Sequence, residues 1–156
     1  MRIIETPAIW QSIKNQDDQL EFDWLGIDSL GQLAVFSNFN SGFTPACVTN
    51  SMILYNELVE FIDKLEKTSP AIGVAMVHAN YNDWKEFAKK GLLGYDNENV
   101  HATIKPNRYH LLYKPAKPIN AKDYSELKKF EPIIPVFKIE FKDYMTFDEL
   151  KESLKS

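Results

Sequence analysis

The chain has 156 residues, 44% of them hydrophobic and 13% aromatic, with a formal net charge of −4. This composition excludes a disordered or low-complexity chain, and the acidic balance provides no basic stripe of the kind that tracks nucleic acid. The expectation is a single globular domain over residues 1–156 with an ordinary packed core.

Cys47 is the only cysteine, so an internal disulfide is impossible and a reducing compartment is expected. The first residues turn polar too soon for an export signal, and the run AIGVAMV over 71–77 is far shorter than a membrane span. A soluble, cytoplasmic protein is expected, with no membrane and no nucleic acid among its partners.

Residues 22–28 and 33–39 are rich in β-branched and aromatic side chains and flank DSLG, which predicts a β-hairpin. Asp28 suits the first position of a type I turn, and Gly31 suits a position needing positive φ. Phe22 and Trp24 share one face of the first strand and Leu25 and Ile27 the other, so both faces are expected to be covered.

Thr49 or Asn50 can cap a helix running to about residue 67, with Leu54, Leu58, Phe61, Ile62 and Leu65 on its apolar face. Its charged residues, Glu57, Glu60, Asp63, Lys64 and Lys67, then form a solvated face. The run 71–77 fits a strand. Asn80 or Asn82 caps a short helix carrying Trp84, Phe87 and Ala88 on one stripe, closed by Gly91 in the left-handed region.

Strands are expected from Leu92 and from Arg108, with Pro106, Pro115 and Pro118 marking strand ends or an exposed edge. Residues 121–130 fit another short helix. Alternation over 135–142 is the clearest period-two pattern in the sequence and predicts a strand; Phe147, Leu150 and Leu154 predict a terminal helix after Thr146. The early hairpin and the late alternating segment favour an α+β fold, with helices packed on a mixed or mainly antiparallel sheet.

Chemical signatures are sparse. His78, His101 and His110 are not spaced as metal ligands, and the sequence has no CxxC, HExxH, GxSxG or phosphate-binding glycine motif. No cofactor is expected. Cys47 sits just before a helix start, where a thiol can be activated, but lacks the flanking signatures of cysteine hydrolases. Asp23 and Asp28 fall on opposite faces of a regular strand, so Asp28 is read as turn support and Asp23 as a solvated carboxylate.

The segment NFNSGFTP mixes adaptable polar groups with two phenylalanines, the composition of a recognition surface. Asp23, Asn38, Asn40, Phe43 and Thr44 are therefore the candidate partner-binding residues.

Three segments, DWLGIDSLGQLAVFSNFNSGFTP, DWKEFAKKGLLGYD and YHLLYKPAKPI, occur in this order. The set resembles a family of small, uncharacterised bacterial proteins similar to immunity proteins of secreted toxin systems. The matching positions are Asp23, Trp24, Asp28, Ser29 and Gly31; Trp84, Ala88, Gly91, Leu92, Tyr95 and Asp96; and Tyr109, Pro115, Pro118 and Ile119. The resemblance implies an α+β protein that neutralises a toxin by direct binding, and it implies no catalytic residues; the acidic charge of the chain makes a basic toxin the expected partner. The alternatives are a small hydrolase or transferase using Cys47 or His78, and a structural adaptor. The oligomeric state is left open.

Overall fold

The computed structural model describes residues 1–17, 20–38, 42–74, 82–100 and 102–156. It opens with a helix that the sequence reading does not anticipate, α1 (Pro7–Lys14). Its signals are local: the Thr6 side chain accepts a hydrogen bond from Ile9 N at 3.2 Å, and Pro7 occupies the first turn, where a missing N–H costs nothing. Trp10 and Ile13 form its buried face.

The expected hairpin is present as β1 (Phe22–Ile27) and β2 (Leu33–Asn38), in register from Phe22↔Asn38 to Ile27↔Leu33. Every residue of β2 is buried, so the hairpin is covered on both faces. Gly31 N donates to Asp28 O at 3.1 Å and Gly31 has φ +84°, the pattern of a three-residue hairpin loop ending in a left-handed glycine.

The chain then passes through a 3₁₀ turn (Ala46–Thr49) into α2 (Met52–Lys64). Ser51, rather than Thr49 or Asn50, is the cap, accepting from Leu54 N at 3.2 Å. The 3₁₀ turn has absorbed the two expected caps. A three-residue strand β3 (Ala71–Gly73) and helix α3 (Asn82–Lys89) follow, then β4 (Leu93–Asn97) and β5 (Arg108–Pro115). Of the rest of the run expected as a strand, Val74 follows β3 without belonging to it and 75–77 lie outside the described residues. Gly91 adopts the expected positive φ, +89°.

The sheet has the order β1-β2-β4-β5-β3, and a sixth strand, β6 (Tyr144–Thr146), also pairs with β5. β2 and β4 run parallel; the other pairings are antiparallel. The fold is therefore α+β with a mixed sheet. Pro115 closes β5, paired with Ala71. A terminal helix, α4 (Phe147–Ser153), carries a capping box in which Thr146 and Glu149 satisfy each other's backbone donors.

Two expectations are corrected. Residues 121–130 form two short 3₁₀ segments (Ala121–Asp123 and Ser125–Phe130) instead of an α-helix. Residues 135–142 form no strand, although Phe137 and Phe141 are buried and Lys138, Glu140 and Lys142 exposed, as the alternation implies. Their backbone groups bond to scattered partners: Phe137 N to Ile27 O, Lys138 N to Ser153 O and Phe141 N to the Asp28 carboxylate. Period-two burial here reports an extended strap lying on a core, not a ladder.

That strap covers one face of the sheet. Trp24, Phe36 and Tyr95 are register partners on β1, β2 and β4, and their rings stack in a row at 4.2 and 4.8 Å. Phe137 and Phe141 pack against this row. α3 covers the opposite face: a Cβ on Gly94 would lie 3.1 Å from Trp84 Cβ, so the glycine permits the close approach.

Candidate functional site

The carboxyl ends of the parallel strands β2 and β4 come side by side, and each releases a loop there. Ligand crevices in open α/β sheets form outside such ends. On the strap side an asparagine network fastens the two loops together. Asn38 Nδ2 donates to Thr44 Oγ1 at 2.8 Å and to Gly42 O at 3.3 Å, while Asn38 Oδ1 accepts from Gly42 N and from Asn97 Nδ2. Asn97 Oδ1 accepts from Asn99 N, and Asn99 in turn holds Asn107.

This network locates the residues expected to meet a partner. Asn38 is 1% exposed and spends its amide on the loop that follows it. Thr44 receives that amide. Phe43 is half-buried against the core, and its carbonyl accepts from the Tyr109 hydroxyl at 2.8 Å. Burial pushes the Tyr109 phenol well above its usual pKa, so it stays a donor. Asn40 lies outside the described residues, as do Phe39, Ser41, His78 and His101. Asp23 stands apart from this cluster, in a different cleft.

Sheet register places a second group on the α3 side. Asp23 pairs with Ser37, Ser37 with Asp96, Asp96 with His110 and His110 with Tyr144, so these side chains form one polar row across β1, β2, β4, β5 and β6. Trp84 of α3 stands over its middle, with Nε1 donating to Ser37 Oγ and to Tyr95 O, both at 3.1 Å. Strand spacing puts Asp23 and His110 about 14 Å apart, three strand steps.

At the β1 end of the row lies a cleft of about 380 Å³ between α2, α3 and the amino-terminal segment. Its lining carries Glu21, Asp23, Asp63, Asp83 and Glu86 against the side chains of Arg2 and Lys90. Lys90 is committed to the carbonyls of Ile62 and Asp63 at the end of α2, Arg2 pairs with Glu21 at 2.9 Å, and the Met1 amino group lies 3.4 Å from Asp23. Hydrogen bonds from Lys67 and Lys89 hold the Glu86 carboxyl down to about 2. Among the described residues the exposed side chains of Asp63 and Asp83 make no ion pair, so these two carboxylates are the ones the cleft leaves to solvent.

At the β5 end a second cavity of about 340 Å³ is lined by Asp96, Glu98, Ile104, Arg108 and His110. His110 Nε2 lies 3.8 Å from Asp96 and Nδ1 lies 3.6 Å from Glu98. Arg108 pairs with Glu98 and stacks over the Tyr144 ring at 4.2 Å. Sequence reasoning missed this group because its members come from separate strands. The available signal was the alternation of Arg108 and His110, which puts both on one face of a strand.

The nucleophile and carboxylate-pair possibilities find little geometry. Cys47 is half-buried in the 3₁₀ turn, and burial pushes its thiol pKa up, away from the reactive thiolate. Asp28 is 2% exposed and accepts four hydrogen bonds, as the turn reading anticipated, from Leu30 N, Gln32 N, Gln32 Nε2 and Phe141 N. Among the described residues no group of three His, Cys, Asp or Glu side chains is placed to hold a metal ion, and no helix is long and apolar enough to cross a membrane. No protein-family model, curated protein or solved structure matches the chain.

Proposed function

We propose that the chain is a non-enzymatic protein-binding protein of immunity type, which neutralises a partner toxin by covering it. The observation that supports this reading is the acidic cleft beside α3, where the exposed carboxylates of Asp63 and Asp83 make no ion pair among the described residues. A surface of this sign steers a basic protein toward it and contributes specificity through charge pairing. A chain with net charge −4 adds a long-range attraction of the same sign.

Loop 42–44 has a supporting part in this reading. Asn38 and Thr44 hold the loop from within, which presents any contact from its outer surface in one conformation and lowers the ordering cost of binding. The test is co-expression of the product of the adjacent gene with and without this chain. Growth arrest by that product alone, relieved by the chain through a complex that co-purifies, supports the reading. A non-toxic product, or rescue without a complex, counts against it.

A further inference from the structure

The cavity at the β5 end of the polar row differs in character from the acidic cleft. Its Asp96 side chain is only 13% exposed, yet among the described residues its carboxylate makes no hydrogen bond, and His110 Nε2 stands 3.8 Å away. Glu98 is already matched by Arg108, whose guanidinium is also held by the Tyr144 ring. Asp96 is therefore the carboxylate of this cavity whose one charged neighbour, His110, stands beyond hydrogen-bond reach. A carboxylate this far withdrawn from water gains from a charged donor more than a surface one does.

The surroundings fit the shaft of a long side chain. Ile104 is 87% exposed and lines the cavity together with Ala102 and Pro106. Apolar groups around a partly desolvated charge suit the buried centre of an interface. A guanidinium is the cation whose planar fork binds a carboxylate through two parallel hydrogen bonds.

We infer that this cavity receives an arginine side chain of the protein partner, with Asp96 pairing the guanidinium and Ile104 and Pro106 covering its aliphatic shaft. The inference rests on the protein-binding reading above and names the residue type that the partner inserts. Asp96 lies two strand steps, about 10 Å, from Asp23 on the same face of the sheet, with Trp84 of α3 between them.

The test uses the full chain and a probe independent of any partner: titration with Nα-acetyl-L-arginine amide, followed by backbone amide chemical shifts. The expected result is weak saturable binding, with shifts concentrated at residues 96–98, 104 and 108–110. The neutral isostere Nα-acetyl-L-citrulline amide is expected to produce none. Asp96→Asn is expected to weaken the arginine response by about tenfold or more, and Ile104→Ser, at an exposed position, to weaken it less. Shifts of equal size with citrulline, an unchanged response in Asp96→Asn, or no response at these amides would each overturn the inference. The citrulline comparison is made on the unaltered chain, so it decides the matter even if Asp96→Asn fails to fold. Growth rescue reads the proposed function separately.

Discussion

The Asp28 carboxylate accepts a hydrogen bond from Phe141 N at 3.0 Å, across 113 positions of sequence. The same carboxylate closes the hairpin turn through Leu30 N and Gln32 N. One buried side chain thus fixes the first hairpin and pins to it the strap that covers the aromatic row. Removing it strands three backbone donors. Asp28→Ala is expected to cost about 3 kcal/mol of stability, and Asp28→Asn less, because the amide keeps one acceptor oxygen. Urea unfolding of both variants checks the order.

Gly31 occupies the left-handed region, and a Cβ there would lie 2.4 Å from Asn120 Oδ1. Asn120 cannot simply rotate away, because its Nδ2 donates to Leu30 O at 2.8 Å. Gly31→Val is therefore expected to destabilise the fold by at least about 1 kcal/mol, from backbone strain before any clash is counted. A variant that melts like the parent would show that the turn tolerates a different backbone.

The hairpin, α3, β4, β5 and α4 are legible in the sequence because each carries its own local signal. DSLG demands a turn, Gly91 ends a helix, and the spacing of Phe147, Leu150 and Leu154 after Thr146 begins one. The strap is misread for a physical reason: alternation measures which side of an extended chain is buried, and Phe137 and Phe141 would alternate with lysines whether or not a neighbouring strand supplied hydrogen bonds. The candidate site is less legible still. Asp23 is visible as an acidic residue beside a hairpin, but Ser37, Asp96 and His110 become its row partners only through the register of four strands. Asn38 looks like a recognition residue because composition does not distinguish an amide that faces a partner from one that ties its own loop.

Phe43 provides a test of how much of loop 42–44 is scaffold. Its ring is half-buried against the core, and its carbonyl is held by Tyr109. Phe43→Ala is expected to cost about 2 kcal/mol of stability, below the 3–5 typical of a fully buried phenylalanine. Thermal melting gives the value. A neutral substitution would mean that the ring contributes nothing to packing and is free for a partner.

The start of α4 supplies a pH dependence. Hydrogen bonds from Lys142 and from the Thr146 backbone lower the Glu149 pKa below its ordinary value. A carboxylate with a depressed folded-state pKa contributes stability that is fully present above the unfolded pKa and is lost as pH falls through the folded one. Glu149→Gln is therefore expected to be less stable than the parent at neutral pH, with the difference shrinking on acidification below the usual glutamate range. Denaturation of both proteins along a pH series measures it. A difference constant with pH would assign the effect to something other than ionisation.

Asp63 and Asp83 carry the central claim, that the acidic cleft contacts a basic partner. The decisive measurement is the calorimetric affinity of this chain for the purified adjacent gene product, at low and high salt, for the parent and for the double variant Asp63→Asn with Asp83→Asn. Both positions are exposed, so folding is expected to survive. The account predicts a complex that weakens as salt rises, and about a tenfold or greater loss of affinity in the double variant that salt largely erases. No complex, or an affinity indifferent both to salt and to the two substitutions, would contradict it.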